Sequence, residues 1–158
     1  ISMITREIRN HEILCKKYDL KPVIRLNTTS DVMFERKKFS FMQNFPNVQF
    51  YDYTKHFNRV MKSLKGQLPV NYHLTFSRNE KNDFQATQVL KAGGNVAVVF
   101  RKELPETYKG FKVVSGDEHD LRFLDPSNVV VGLKEKLTID KKTGKLGRDN
   151  SGFVVDLK

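Results

Sequence analysis

Hydrophobic and polar positions alternate along three stretches of the chain, and the alternation predicts β-strands. The stretches are residues 23–27, 48–54 and 72–77. Strands of a parallel sheet are usually buried on both faces and consist almost entirely of Val, Ile and Leu. Here one face of each strand carries a polar stripe instead, made of Arg25, Asn27, Gln49, Tyr51, Tyr53, His73, Thr75 and Ser77. We therefore expect the sheet to border a cleft that holds water or a ligand.

Helical spacing separates the predicted strands. One face of a helical period carries Ile4, Ile8, His11 and Cys15, at intervals of four, three and four, which predicts an N-terminal helix within residues 1–20. Asp31 is expected to cap a second helix, which carries several Phe residues and must end before Pro46. Two further helices are predicted over residues 57–64 and 81–92, where glycines follow as stop signals.

Three more strands follow, and together the six define the fold class. They are predicted at residues 95–100, 111–115 and 129–133. The ends of the first four strands lie 24–26 residues apart, the size of a compact βα unit, so the sheet should be mostly parallel. We expect an α/β domain of about six strands, either an incomplete TIM-like barrel or an open sheet. The turn composition of residues 140–144 adds an antiparallel C-terminal hairpin, with its return strand at residues 153–157.

Length and cysteine content favour one domain in a reducing compartment. Residues 1–158 are expected to form a single α/β domain, with a helix in residues 1–20 and a basic hairpin extension in residues 129–158. No apolar run reaches the roughly 20 residues that span a bilayer, so no membrane contact is expected. The single Cys15 excludes an internal disulfide and favours the cytoplasm. Whether Ile1 is near the natural start, or the chain is a fragment, stays open.

The charge of the chain favours a negatively charged partner. Its 28 Lys and Arg residues exceed its 18 Asp and Glu residues, and the net charge is +10. Such an excess is typical of proteins that bind nucleic acid or another polyanion, although many basic proteins are merely soluble. The candidate polyanion-binding residues lie on the predicted hairpin and are Lys134, Lys136, Lys141, Lys142, Lys145 and Arg148.

The loops that follow the predicted strands form the candidate ligand-binding site. In parallel α/β folds, ligands gather at the C-terminal ends of the strands, where loops and helix N-termini meet. Arginine and lysine side chains beside hydroxyl groups suit a phosphate or a carboxylate. The candidate residues are Arg25, Asn27, Asp31, Asp52, Tyr53, Lys55, Ser77, Arg78 and Arg122. The alternative is a polar interior whose groups satisfy one another.

Catalytic and metal-binding signals are weaker. His119 lies between Asp117 and Asp120, so these three residues are the acid–base candidates, although an ordinary exposed turn is the favoured interpretation. The carboxylates lack the spacing of a metal motif, and helix caps and salt bridges explain them better. No metal site and no cofactor are therefore predicted. Cys15 on a helix face is most simply a core residue.

Seven ordered blocks of the chain resemble a known family of phage and plasmid proteins, the gene product 88 type. The blocks are residues 25–31 (RLNTTSD), 50–55 (FYDYTK), 71–78 (NYHLTFSR), 94–101 (GNVAVVFR), 110–114 (GFKVV), 121–126 (LRFLDP) and 131–133 (VGL). The resemblance implies no settled activity. Longer members carry a cysteine-bearing segment ahead of this region, loosely similar to radical-type enzymes on incomplete β/α barrels. Because Cys15 stands alone here, the resemblance implies no iron–sulfur chemistry for this chain.

Three functions follow from these patterns. The first is a phage- or plasmid-encoded accessory protein that binds nucleic acid or another polyanion. The second is an enzyme, or the remnant of one, that acts on a phosphate-bearing ligand in the polar cleft. The third is a protein that binds a host protein. A continuous basic surface would favour the first function, and a concave cavity lined by the polar stripe would favour the second.

Overall fold

Within its described residues, the chain forms an eight-stranded sheet and a separate two-stranded ribbon. The computed structural model describes residues 2–36, 41–139, 144 and 146–157. The helices are α1 (Ser2–Lys17), α2 (Phe57–Leu64) and α3 (Asp83–Lys91), with short 3-10 helices at Met42–Asn44 and Arg122–Leu124. The strands in chain order are β1 (Val23–Arg25), β2 (Gln49–Thr54), β3 (Tyr72–Ser77), β4 (Val96–Phe100), β5 (Thr107–Tyr108), β6 (Phe111–Ser115), β7 (Val130–Lys134), β8 (Thr138–Ile139), β9 (Leu146–Gly147) and β10 (Val154–Val155).

The main sheet is open and mostly parallel. Its order is β1-β2-β3-β4-β7-β6-β5, and every neighbouring pair from β1 to β6 along this path is parallel. The helices α2 and α3 connect β2 to β3 and β3 to β4, as the spacing of the βα units predicts. The short β5 pairs with β6 in the antiparallel sense. The predicted α/β class is confirmed in its open-sheet form.

One face of the sheet packs against the helices and forms the hydrophobic core. Phe50, Phe76 and Phe100 on this face are almost completely buried. They belong to one core cluster with Val60 of α2 and Leu90 of α3. Burial of each such side chain stabilises the fold by roughly 1.5–3 kcal/mol relative to leaving it exposed. No helix among the described residues is long and apolar enough to cross a membrane.

The predicted polar stripe lies on the opposite face of the sheet, in register across three strands. Arg25 pairs with Tyr51, and Tyr51 pairs with His73, so these three residues form one row. One step closer to the C-terminal ends, Tyr53 lies beside Thr75. Polar side chains from separate βα units are thereby brought together at the same edge of the sheet.

The helix predicted after Asp31 is wrong for the described part of this segment. Residues 31–36 contain a turn, and Met42–Asn44 forms only one 3-10 turn. The Asp31 carboxylate pairs with Arg59 of α2 and caps no helix. Phe41 is buried in the core within this irregular segment, so its position reflects tertiary packing rather than a helical face.

The C-terminal residues contribute more to the main sheet than the sequence predicts. An antiparallel ribbon does form, from β8 and β9, and the turn residues 140–143 between them lie outside the described residues. However, the predicted return strand at residues 153–157 is wrong. The middle of that segment is β10, which pairs with β4 in the parallel sense. The other predicted arm of the hairpin contains β7, which lies in the main sheet between β4 and β6.

A splayed pair of strands explains the position of β10. The strands β3 and β4 pair only through Phe76–Val96 and Ser77–Ala97, and beyond that point the edge of β4 would be unpaired. Buried backbone groups need hydrogen-bond partners. β10 supplies them, with Val154 beside Val99. We call residues 149–155 the C-terminal strap.

Candidate ligand-binding cleft

A cavity of about 620 Å³ opens at the C-terminal ends of the parallel strands. Residues predicted for ligand binding, for acid–base chemistry and for polyanion binding all line this cavity, together with Phe153 of the C-terminal strap. We call it the strand-end cleft, and its predicted members are Arg25, Tyr53, Ser77, Arg78, Asp117, His119, Asp120 and Lys136. Several βα units therefore deliver side chains to one place, as expected for the carboxyl edge of a parallel sheet.

A second hollow extends the cleft along the loops after β1 and β2. It has a volume of about 300 Å³ and shares Arg25, Tyr53 and Ser77 with the strand-end cleft. Asn27, Asp31 and Lys55 also line this hollow. Because the two hollows share walls, they form one groove across the edge of the sheet.

The Asp120 carboxylate lies at the β1–β2 side of the cleft and binds three polar side chains there. Asp120 accepts hydrogen bonds from Arg25 Nη1 at 2.9 Å, Tyr51 Oη at 3.1 Å and Tyr53 Oη at 3.2 Å. The Arg25 guanidinium also lies over the Tyr53 ring, 4.8 Å from its centroid. Burial, reinforced by Asp120, raises the pKa of both phenols, so both remain neutral donors at pH 7.

Arg122 lies completely buried behind this cluster. Its Nη2 donates to the carbonyl of His119, and its Nε lies 3.4 Å from Asp125 Oδ2, whereas Nε and Nη1 make no hydrogen bond. Burial, together with the Arg122 charge, lowers the pKa of His73. A Cβ atom on Gly116 would lie only 2.7 Å from Arg122 Nη1, so the chain closes tightly over this cation. Arg122 does not itself line the cleft, but it contacts His119, which does, and it places a positive charge behind the cleft.

Arg78 lines the cleft, but its guanidinium already has partners. Its Nε donates to Asp83 Oδ1 at 3.0 Å, and its Nη1 donates to the carbonyls of Gly152 and Phe153 at 2.7 and 2.8 Å. Burial opposes ionisation of Asp83, yet its hydrogen bonds from Lys109 and Arg78 leave its pKa lowered overall. This geometry makes Arg78 an anchor of the C-terminal strap.

Comparison with known proteins gives the family of this chain. A family model described as Gene product 88 matches residues 1–156. The chain belongs to this family. The match confirms the resemblance carried by the seven sequence blocks. No curated protein and no solved structure matches the chain significantly.

Asp52 and Asn27 of this family member lie in a buried polar network. Asp52 accepts hydrogen bonds from the Asn27 backbone N–H at 2.7 Å and from Tyr72 Oη at 2.6 Å. Asn27 in turn accepts hydrogen bonds from Ser30 and Val32, which shapes the loop after β1. Burial raises the pKa of Asp52, although the bonds from Tyr72 and Asn27 oppose the shift. The structure places Asp52 on the helix-covered face, away from the strand-end cleft.

Arg59 completes this network and was not among the predicted residues. Its Nη1 contacts Asp31 at 2.6 Å, and its Nε and Nη2 hold Glu35 at 2.8 and 2.9 Å. A further N–H donates to Tyr72. Arg59 lies beside the apolar face of α2. In the sequence, a cation at such a position could have indicated a buried ion pair. Asp31 is thus held by Arg59 as well as lining the groove.

The predicted polyanion-binding residues separate into four groups. Lys136 lines the strand-end cleft, whereas Lys134 pairs with Glu103 at 2.8 Å. Arg148 is exposed near the C-terminal strap. The remaining three, Lys141, Lys142 and Lys145, lie outside the described residues.

The described part of the chain contains no group of three or more His, Cys, Asp or Glu residues placed to hold a metal ion. Cys15 is buried in α1, with its Sγ 3.6 Å from Nε2 of His11. At the cleft, His119 Nδ1 accepts a hydrogen bond from the Leu121 backbone N–H at 3.2 Å. Arg122 Nη2 also lies 3.2 Å from this nitrogen, so the imidazole is oriented by its own loop and by Arg122.

Proposed function

We propose that this member of the Gene product 88 family is a phage- or plasmid-encoded accessory protein that binds single-stranded nucleic acid in the strand-end cleft. The observation that carries the proposal is the composition of one cavity, in which Tyr53 and Phe153 lie with Arg25 and Lys136. Proteins that bind single strands combine a cationic groove with aromatic side chains on which bases stack. The excess of 28 basic over 18 acidic residues supports a polyanionic ligand.

The exposed lysines beside the cleft are suited to phosphate contacts. Lys55 and Lys136 are both exposed, and Lys55 Nζ lies 6.0 Å from the Phe153 ring centroid. Lysine side chains can follow a flexible backbone, while Tyr53 and Phe153 offer faces for bases. Each stacked base contributes about 1–3 kcal/mol, and the contact tolerates any sequence because every base has a π-face.

A concave cleft favours a single strand over a duplex. The bases of a duplex are stacked and paired, so they could not reach Tyr53 and Phe153 without being unpaired first, which costs a few kcal/mol. The backbone of a duplex could contact only the lysines at the rim. We therefore expect oligonucleotide binding to be strongest for single strands. We place this activity in the cytoplasm of the infected or plasmid-bearing cell, where a lone cysteine stays reduced.

Charge reversal at the rim tests the proposal. Lys55→Glu with Lys136→Glu is expected to weaken binding of a single-stranded oligothymidylate and to flatten its salt dependence. Removing one lysine–phosphate interaction should reduce the slope of log affinity against log salt by about 0.7. Fluorescence anisotropy over a series of salt concentrations measures both quantities.

The matched control is Lys65→Glu with Lys91→Glu, which changes the net charge equally. Both lysines are exposed where α2 and α3 end. These helices lead into the N-terminal ends of β3 and β4, whereas the cleft lies at the C-terminal ends of the strands. The control should retain most of the wild-type slope. Equal effects of the two pairs, or no binding by the wild type at low salt, would refute the proposed cleft.

A second candidate function is an enzyme, or an enzyme remnant, that acts on a phosphate-bearing small ligand. The concave shape of the cleft and the position of His119 beside Asp117 and Asp120 favour it. The same binding experiment separates the candidates. A mononucleotide that competes as well as the oligonucleotide would favour the enzyme, whereas affinity that grows with strand length favours the single-strand binder.

A further inference from the structure

We infer that Arg25, Tyr51 and Tyr53 form a phosphate-binding seat that the chain's own Asp120 carboxylate occupies. The inference rests on the proposed function, because it assigns one phosphate of the ligand to a defined place in the same cleft. It also adds a competitor: a ligand phosphate must displace Asp120 to enter the seat.

The seat consists of three converging hydrogen-bond donors. Arg25 Nη1, Tyr51 Oη and Tyr53 Oη all lie within 2.9–3.2 Å of the Asp120 carboxylate oxygens. Guanidinium and hydroxyl donors around one anion are the chemistry that recognises a phosphate group, whose oxygens can accept all three bonds. A carboxylate satisfies the same donors with two oxygens and a single charge.

The donors are fixed, whereas the occupant can move. Arg25 and Tyr51 are adjacent in register on β1 and β2, and Tyr51 packs on Phe123 with ring centroids 5.8 Å apart. Asp120 lies in the loop between β6 and the 3-10 helix, and 51% of its side chain is exposed. Rotation of this carboxylate into solvent therefore exchanges its three hydrogen bonds for hydration by water.

The local charge favours a stronger anion than Asp120. Arg25 stands at the seat, and the buried Arg122 adds a second positive charge behind it. Arg122 lies 3.4 Å from the Asp125 carboxylate, but its Nε and Nη1 make no hydrogen bond. Once Asp120 leaves, the remaining groups at the seat carry a net positive charge. A phosphate with more negative charge than a carboxylate gains more from that field.

The occupant reduces the apparent affinity for phosphate. A ligand binds only to the fraction of molecules in which the seat is open, so its apparent affinity falls in proportion to that fraction. Neutralising Asp120 should therefore increase phosphate affinity, the opposite of what is expected if the carboxylate served as a ligand contact or a general base.

Asp120→Asn tests the seat with inorganic phosphate as the probe. Titration calorimetry at constant ionic strength should show phosphate binding about tenfold tighter than in the wild type, as expected when one adjacent charge is removed. Asp117→Asn is the matched control, because Asp117 lines the same cleft but accepts its hydrogen bond from the Lys134 backbone N–H. That variant should gain much less. Tyr53→Phe in the Asp120→Asn background should remove most of the gain.

The outcomes separate this inference from the proposed function. Equal gains in Asp120→Asn and Asp117→Asn, or no gain in Asp120→Asn, would overturn the seat. If Asp120→Asn does not fold, Asp120→Ser removes the same charge and gives the same comparison. Oligonucleotide binding with no gain in phosphate affinity overturns the seat alone. A gain in phosphate affinity in a protein that binds no oligonucleotide overturns the proposed function alone.

Discussion

Arg59→Met is expected to destabilise the protein by about 3–5 kcal/mol, the cost of removing one partner from a buried ion pair. Only 1% of the Arg59 side chain is exposed, and its partners are Asp31, Glu35 and Tyr72. Methionine keeps most of the apolar volume, so the loss measures the charge and the hydrogen bonds. Urea unfolding followed by circular dichroism gives the change in the free energy of unfolding.

Arg36→Met provides the control for this prediction. Arg36 lies in the loop after β1 that Arg59 contacts from α2, and it is exposed, so its replacement should change the free energy of unfolding by no more than about 0.5 kcal/mol. If Arg59→Met were as stable as Arg36→Met, the buried network would not hold the loop after β1 as described.

Arg78→Ala is expected to destabilise the protein by about 2–3 kcal/mol, because a hydrogen bond to a charged group contributes about 1.5–3 kcal/mol and bonds that share one side chain do not add. The substitution removes the bonds to Asp83, Gly152 and Phe153, and so frees the C-terminal strap from β3. Limited proteolysis should then cut the strap faster. Oligonucleotide affinity should also fall, since Phe153 would no longer be held in the cleft.

Lys81→Ala is the control for Arg78→Ala. Lys81 is exposed in the loop that follows β3, so its loss should leave stability and protease resistance close to wild type. A stable Arg78→Ala variant with normal protease resistance, but without ligand binding, would show that Arg78 is a ligand contact and no anchor.

Much of the fold follows from local patterns in the sequence. Alternation predicts the first three strands and short apolar runs predict the next three, and β3 and β6 match the predicted bounds. The helix after Asp31 is wrong because aromatic spacing also arises in a loop whose side chains are buried by tertiary contacts. The position of β10 depends on the splaying of β3 from β4, which no local pattern encodes.

The cleft is predictable in outline but not in its pairings. Arg25, Tyr53 and Ser77 meet in one cavity because the strands are parallel and in register. Asp52 is predicted as a cleft residue, but it lies between Tyr51 and Tyr53, so the alternation that the sequence already shows places it on the opposite face of β2. The pairings of Asp120 and Arg59 join residues far apart in the chain. Long-range pairs of this kind leave no spacing signal in a single sequence.

The central claim is that single-stranded nucleic acid binds in the strand-end cleft, and an NMR titration tests it most directly. Nitrogen-15-labelled protein would be titrated with a short oligothymidylate, and amide shifts mapped on the structure. The account predicts shifts concentrated in the loops that form the cleft, at residues 27–31, 53–55, 77–78, 116–120 and 149–154. Shifts confined to the exposed cations of α1, with the cleft unperturbed, would contradict it.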